Sequence, residues 1–231
     1  MRLVFVDLDG TLIDRPSVEA RFLRHLFLGG WLGPRQWLAA LAFFIVHAGR
    51  FGRHTARKNK AYLSGMEVDT IAGLAAQFVR HEVLPVLRPF LLRRLDEHRQ
   101  AGDRIVLLTG APDFIAEPLG RAIGAWAVVA TRPAMTRARF DSRAPLLHPF
   151  DVAKLGCARE LCAEIGARLD ECTAYADAAP DLHLLRDVGR PIAVTPDPAL
   201  ERVAREHGWE IILPEDLAPV WGETGRVSVP D

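Results

Sequence analysis

The feature that most constrains this chain is a short apolar run that ends in two aspartates one residue apart. Residues 3–6 are all apolar and include two valines, as expected of a strand buried on both faces of a parallel sheet. Asp7 and Asp9 follow this run, and Gly10 comes next. In open α/β sheets, ligands bind at the carboxyl ends of the strands, so these carboxylates are predicted to lie at the chemical edge of the sheet.

Two carboxylates this close repel each other. A divalent cation would relieve that repulsion, and Mg²⁺ favours oxygen ligands. The same residues would also be explained by a polar strand end followed by a helix cap, because Asp and Gly are ordinary loop residues. The residues alone leave both interpretations open.

Composition indicates a globular protein whose overall charge does not favour binding to nucleic acid but does not exclude a local charged patch. The 231 residues are 49% hydrophobic and 25% charged, which is enough for one or two domains. The formal net charge of +0 predicts no overall attraction to nucleic acid. The cysteines at 157, 162 and 172 lack metal-binding spacing, and their odd number indicates reduced thiols. With no signal peptide ahead of the first strand, the expected location is the cytoplasm.

A long helical region separates the first strand from the second, which is predicted over 104–108. The spacing of apolar residues predicts helices over 18–28, 36–48, 68–80 and 89–100. Residues 37–46 are apolar on nearly every side, yet the run is shorter than the ~20 residues that span a bilayer. This segment therefore predicts a buried helix or a helix lying in a membrane interface. A loose terminus is expected over 214–231.

Three further polar signals follow predicted strands or open predicted helices. Thr109 and Gly110 follow the second strand, with Pro112 expected near the start of a helix. Lys154 is placed in the first turn of a helix that Asp151 is expected to cap. A further strand over 172–176 leads to two aspartates four residues apart. Each signal also has an ordinary explanation: a turn threonine, a solvated lysine, and a helix cap with a first-turn acid, Asp177 and Asp181.

These signals together resemble the four motifs of the haloacid dehalogenase (HAD) superfamily. Residues 7–12, DLDGTL, are similar to the first motif, and Thr109, Lys154 and the segment from Asp177 to Asp181 stand in the order of the other three. The fourth motif is usually written GDSxxD. Here Ala176 replaces the usual Gly or Ser before the first aspartate, and Ala178 replaces the Ser after it. The carboxylates are kept, so the departure bears on rate or metal affinity rather than on identity.

The resemblance implies an α/β fold, with a Rossmann-like parallel-sheet core and a helical C1 cap inserted after the first strand. The cap would comprise 14–86, and the core would comprise 1–13 and 87–231. The helical insertion resembles that of the subgroup that includes phosphoserine phosphatase. The implied activity is Mg²⁺-dependent hydrolysis of a phosphomonoester, either a small phosphorylated metabolite or a lipid phosphate.

The resemblance also implies roles for individual residues. Asp7 would be the nucleophile that forms an aspartyl-phosphate, and Asp9 the general acid and base. Mg²⁺ would be held by Asp7, the Asp9 backbone carbonyl and Asp177. Thr109, Gly110 and Lys154 would bind the phosphate, and Asp181 would support the metal shell or orient the lysine.

Two other functions compatible with the motifs are phosphoryl transfer to an acceptor other than water and non-catalytic binding of a phosphate or lipid by a HAD relative. The first half-reaction of a phosphotransferase is the same, and Ala178 gives some support to the non-catalytic alternative. A signalling receiver also uses Asp, Thr and Lys. Its phosphorylated aspartate lies on a middle strand, however, and it lacks a large helical insertion.

The cap region suggests a membrane-presented substrate. Phosphoserine phosphatases of this subgroup carry a cap glutamate that binds the substrate amino group, but its place here falls near Pro16, and Glu19 does not align with it. The apolar segment 37–46 is followed by basic residues, and this layout is similar to bacterial phosphatidylglycerophosphate phosphatases of the family. A peripheral contact with the inner membrane surface is therefore expected, through Arg53, Arg57 and Lys58. The alternative is that 37–46 forms the core of the cap.

Overall fold

A computed structural model describes residues 2–217 of the chain, apart from the side chains of Arg53 and Glu215. The predicted loose terminus falls mostly on residues 218–231, which lie outside the described residues.

The core of the described chain is a six-stranded sheet in which all neighbouring strands are parallel. Its order is β3-β2-β1-β6-β7-β8, so the strand that carries the first aspartates lies in the middle. A separate two-stranded antiparallel pair is formed by β4 and β5. The strands are β1 (Leu3–Val6), β2 (Arg104–Pro112), β3 (Ala127–Thr131), β4 (Met135–Thr136), β5 (Arg139–Phe140), β6 (Thr173–Ala176), β7 (Arg190–Val194) and β8 (Glu210–Ile212).

Five α-helices lie between β1 and β2, and the others follow the later strands of the sheet. The helices are α1 (Val18–Leu28), α2 (Pro34–Phe51), α3 (Thr55–Lys58), α4 (Val68–Phe78), α5 (Pro89–Gln100), α6 (Asp113–Ala122), α7 (Val152–Ile165), α8 (Leu182–Leu185) and α9 (Pro198–His207). The predicted bounds of α1 and α5 are confirmed. Helix α2 is longer at both ends than predicted, and α4 continues into a π-helical turn over Val79–Val83.

Both faces of β1 are covered by apolar layers. Val4 and Val6 belong to one buried cluster, whereas Leu3 and Phe5 belong to a second cluster on the opposite face of the sheet. This alternation follows from the two-residue period of a strand, and it confirms the predicted buried strand and α/β class. The first cluster continues through Phe22 of α1 into α4. The proposed boundaries, with a cap over 14–86 and a core over 1–13 and 87–231, remain a prediction.

Helix α2 does not form the core of the inserted region. Phe43 is its one buried residue, and most of the segment 37–46 faces outward. The expectation of a buried helix is therefore wrong, because α2 contacts its neighbours along a single narrow face. Within residues 2–217, no helix combines the length and the apolar character needed to cross a membrane.

Candidate active site

The loop after β1 is held in a tight turn that brings its glycine against Asp177. The backbone N–H of Asp7 donates to the carbonyl of Tyr175 on β6 at 3.0 Å, and that of Gly10 donates to the carbonyl of Ile13 at 2.8 Å. Gly10 has a φ of +89°, which side chains rarely adopt. A Cβ atom at this position would lie 2.0 Å from Oδ2 of Asp177. Glycine is therefore required here both by conformation and by space.

The first turn of α7 delivers Lys154 to the carboxylates. Its Nζ lies 2.8 Å from Oδ1 of Asp7 and 2.6 Å from Oδ1 of Asp181, and the residue is only 4% exposed. Burial alone would lower the pKa of Lys154, but the carboxylates of Asp181 and Asp7 outweigh it and raise that pKa above its ordinary value. The lysine is therefore a fixed cation at the edge of the sheet. This ion pair agrees with one of the two roles predicted for Asp181, that of orienting the lysine.

Asp177 follows β6 and is nearly fully buried. Its Oδ2 lies 2.8 Å from a guanidinium nitrogen of Arg15, whose side chain is largely exposed. Burial raises the pKa of Asp177, and the hydrogen bond from Arg15 opposes that shift. The backbone carbonyl of Asp177 accepts from the N–H of Asp197 at 2.8 Å, which fixes the turn after β6.

The carboxylates of this edge have the chemistry of a divalent-cation site. Asp7, Asp177 and Asp181 each offer a carboxylate oxygen, and these oxygens lie within 4.8 Å of one another. Hard oxygen donors are what Mg²⁺ requires. Counted as three anions, these carboxylates have two cations in their ion pairs, Lys154 and Arg15, so one negative charge is left to attract a further cation. The residues present therefore fit Mg²⁺.

The carboxylate of Asp9 is bonded to the start of α1. Its Oδ1 accepts a hydrogen bond from the backbone N–H of Val18 at 2.6 Å. Burial raises the pKa of Asp9 to about 7, although the bond from Val18 acts in the opposite direction. A carboxyl group with that pKa can both donate and accept a proton near neutral pH. No side-chain oxygen of Asp9 belongs to the carboxylate cluster found in residues 2–217. The metal contact predicted for Asp9 is through its backbone carbonyl.

Thr109 and Gly110 lie within β2 rather than in a turn after it. The strand runs to Pro112, with a shift in register against β3 between Leu108 and Pro112. Pro112 is the residue immediately before α6, in agreement with its predicted place near the start of that helix. Oγ1 of Thr109 accepts from the N–H of Ala111 at 3.1 Å, which leaves its hydroxyl proton for a ligand.

The predicted cap at Asp151 is also not formed. Asp151 precedes α7, but its φ is +57° and its side chain makes no capping hydrogen bond. The carboxylate lies instead 3.4 Å from Nε2 of His183. Lys154 lies three residues after Asp151, in the first turn of α7.

Sequence reasoning missed three residues near the site, Arg88 and the two partners of Glu19, which are Lys60 and Tyr62. The guanidinium of Arg88 donates to the carbonyls of Gly10 and Thr11 at 2.7 and 2.8 Å and so holds the loop after β1. Glu19 accepts from Lys60 at 2.5 Å and from the hydroxyl of Tyr62 at 2.9 Å. Single arginines and lysines carry no spacing signal, so nothing in the sequence distinguishes these residues from solvated ones.

A histidine also lies beside the predicted phosphate-binding segment. The hydroxyl of Thr131 donates to the carbonyl of Gly110 at 2.6 Å, and Nδ1 of His148 lies 2.8 Å from the same hydroxyl oxygen. Because that hydroxyl proton is already used, Nδ1 of His148 is the donor to Thr131. Nε2 of His148 is buried and has no hydrogen-bond partner in the described chain. Burial lowers the pKa of His148 to about 3, with further lowering by nearby basic residues, which are Lys60, Lys58, Arg57 and His54.

Two of the basic residues predicted to contact a membrane, Arg57 and Lys58, each lie over an aromatic ring. The Arg57 guanidinium lies over the ring of Phe150, 4.3 Å from its centroid. Nζ of Lys58 lies 4.5 Å from the ring centroid of Phe51. The side chain of Arg53 lies outside the described part of the structure.

Comparison with known proteins agrees with this geometry. Residues 4–186 match the model of the haloacid dehalogenase-like hydrolase family. The chain is 32% identical over 213 residues to an inhibition of morphological differentiation protein of Streptomyces azureus, covering 90% of this chain and 76% of that one. It is 29% identical over 220 residues to a phosphoserine phosphatase of Mycobacterium tuberculosis, covering 90% and 69%.

Among solved structures, a protein of unknown function from Bordetella pertussis superimposes with a TM-score of 0.78 at 27% identity, covering 94% of this chain and 99% of that one. The family match covers most of the chain and includes all four motifs. The chain therefore belongs to the haloacid dehalogenase-like hydrolases and is a phosphatase.

Proposed function

We propose that this phosphatase hydrolyses phosphomonoesters through an aspartyl-phosphate formed on Asp7, with Mg²⁺ bound at the edge of the sheet. The observation that carries the proposal is the position of Lys154 between Asp7 and Asp181, with Asp177 in the same cluster. This arrangement combines a nucleophile, a fixed cation and a set of oxygen ligands. Asp7, Asp177 and the Asp9 backbone carbonyl would hold Mg²⁺, with Asp181 adjacent. The bound ion would neutralise the charge of the phosphate.

The protein residues divide the chemistry between two carboxyl groups. The Nζ of Lys154 donates to Oδ1 of Asp7 and fixes that oxygen, which orients the carboxylate for attack on phosphorus. Asp9 donates its proton to the leaving oxygen and then takes a proton from the attacking water. The raised pKa of Asp9 suits both steps. The Thr109 hydroxyl and Lys154 are the donors for the phosphoryl oxygens, whose charge is distributed in the transition state.

The surroundings of Glu19 weigh against a substrate that carries an amino group. This glutamate is the acid of α1 closest in sequence to the expected amine-binding position. Both of its carboxylate oxygens are already bonded, one to the Lys60 ammonium and the other to the hydroxyl of Tyr62. Lys60 is itself buried and neutralises the carboxylate. The relative named a phosphoserine phosphatase therefore does not define the substrate here, and a leaving group without an amine is the better fit.

The proposal is tested by trapping the covalent intermediate with an aryl phosphate, such as p-nitrophenyl phosphate, that carries a label on its phosphoryl group. Asp7→Asn should fold normally but neither release phosphate nor take up label, because an amide cannot form the acyl-phosphate. Asp9→Asn should take up label from the activated aryl ester and then release it slowly. Activity should vanish with a chelator and return with Mg²⁺. Wild-type-like turnover by purified Asp7→Asn protein would overturn the assignment.

The natural leaving group is identified by a phosphate-release screen that runs small phosphomonoesters and lipid phosphates side by side. Alcohol acceptors added to the same reactions separate hydrolysis from transfer, because a transferase forms a new phosphoester instead of free phosphate. A chain that binds phosphate but neither takes up label nor turns over any ester would instead be a non-catalytic relative.

A further inference from the structure

Helix α2 presents large apolar side chains to solvent along a face that the phosphatase chemistry does not use. The exposed fraction is 66% for Leu38 and 73% for Ile45. A surface helix normally carries polar residues at its solvent-facing positions. Here every residue from 37 to 46 is apolar. The exposed members are Trp37, Leu38, Leu41, Phe44, Ile45 and Val46.

This apolar face continues onto the end of α1 and the loop that follows it. Phe27, Leu28 and Trp31 are exposed as well. The ring centroids of Phe27 and Trp37 lie 6.4 Å apart with the rings edge to face, so the two groups form one surface. We call these nine exposed residues of α1, the loop and α2 the α2 patch. Contiguous apolar surface of this kind marks an interaction site.

The charge around the α2 patch indicates what covers it. Residues 34–58 contain five arginine or lysine residues and no aspartate or glutamate, although the whole chain has a net charge of +0. Two copies of the patch meeting face to face would bring these cations together, at a cost in repulsion. An anionic surface would instead be attracted to them, and cations near a bilayer of anionic lipids each contribute about 1 kcal/mol.

The arrangement of these cations along α2 also indicates orientation. Arg35 lies in the first turn and Arg50 in the last, on either side of the apolar run. A helix with a cation at each end and an apolar face between them lies in the plane of an interface, with both ends at the headgroups. This orientation agrees with the absence of a membrane-spanning helix in residues 2–217.

We propose that the α2 patch binds the surface of an anionic lipid bilayer, with α2 in the plane of the interface. The basic segment after α2 leads to the catalytic edge, because Arg57 of α3 covers the ring of Phe150, which stacks 5.8 Å from His148. His148 in turn bonds Thr131, the partner of Gly110. Docking would therefore bring the phosphate-binding segment toward the headgroups. Lipid binding does not depend on the chemistry of Asp7, so it can be tested on its own.

The test is flotation of the full-length protein with vesicles of phosphatidylcholine alone or mixed with phosphatidylglycerol. The protein should float with the mixed vesicles only, and raising the salt concentration should release it. The Leu38→Glu, Ile45→Glu double variant should lower the vesicle partition coefficient about tenfold or more, because each change removes an apolar side chain and adds a repelled charge. Arg50→Glu with Lys58→Glu should weaken binding to the anionic vesicles.

Matched controls separate the patch from general surface effects. Leu146→Glu changes a leucine that is 67% exposed outside the patch, and Arg202→Glu reverses an exposed arginine on α9. Both should float like the wild type, and Asp7→Asn should do so as well. Circular dichroism confirms that each variant is folded. Wild-type protein that never floats, or that floats equally well after the Leu38 and Ile45 changes, would overturn the proposal. A wild-type dimer that stays in solution and becomes monomeric in the double variant would overturn it too, in favour of self-association.

Discussion

Replacing His148 with asparagine should flatten the dependence of stability on pH. In the folded chain this imidazole is neutral, since burial and the surrounding cations lower its pKa to about 3. In the unfolded chain a histidine titrates near 6.5. As pH falls through 6.5, the unfolded state gains a proton that the folded state does not bind. The stabilisation is therefore complete above that pH and is progressively lost between about 6.5 and 3.

The size of the effect follows from the two pKa values. Going from about pH 7.5 to about pH 5, protonation of one such histidine in the unfolded chain alone lowers the free energy of unfolding by about 2 kcal/mol. Asparagine keeps an amide donor near the position of Nδ1, which can still bond Thr131, but it does not titrate. The variant loses ring packing against Phe150 at every pH, so it is less stable than the wild type at about pH 7.5. The difference in free energy of unfolding between the two proteins should then decrease as the pH falls.

Reversible urea unfolding at a series of pH values measures this narrowing directly. The carboxylates contribute equally to both proteins, so the difference between wild type and His148→Asn isolates the histidine. The imidazole signals of His148 in a nuclear magnetic resonance titration should stay flat between about pH 5 and 8. Parallel stability curves, or an imidazole midpoint near the ordinary value of 6.5, would refute the reasoning.

Two further predictions concern packing at the site. Gly10→Ala should abolish Mg²⁺ binding in calorimetry, because its Cβ collides with the carboxylate of Asp177. Gly102 is the control, since it has a similar φ of +84° and open space around it. Gly102→Ala should keep the Mg²⁺ affinity and lose only about 1 to 2 kcal/mol of stability from backbone strain. Equal Mg²⁺ affinity in both variants would contradict the collision. Lys60→Met should destabilise the fold by about 3 kcal/mol, because it leaves the carboxylate of Glu19 unpaired, and adding Glu19→Gln should recover most of the loss in urea unfolding. No recovery in the double variant would show that the pair is not coupled.

Strong local patterns in the sequence predicted much of the fold. The apolar run of β1 and the periodicity of α1 and α5 fixed those elements, because their burial patterns are those of an ordinary buried strand and amphipathic helices. Helix α2 was the exception. Its all-round apolar composition normally means burial, but composition does not show whether a neighbouring element covers it.

The site could be predicted only in part, for a similar reason. Asp7, Lys154, Asp177 and Asp181 each follow a strand or open a helix, and the parallel sheet brings such positions to one edge. That these four side chains lie close together could therefore be predicted from the sequence. The roles of Arg88 and His148 were not, because each depends on which loop reaches it in three dimensions. The strand through Thr109 was also longer than expected, since a turn residue and a bulged strand end look alike in sequence.

The central position of β1 has a consequence for how the chain is made. Its neighbours are β2, paired from Arg104 onward, and β6, paired from Thr173 onward. On the ribosome, this strand therefore emerges well before either partner. The four apolar residues of β1, which are fully buried in the folded protein, stay unpaired while the intervening helices form from local contacts. An exposed, unpaired strand of this kind favours aggregation until its partners emerge, and the carboxylates that follow β1 and β6 meet only after most of the polypeptide has been synthesised.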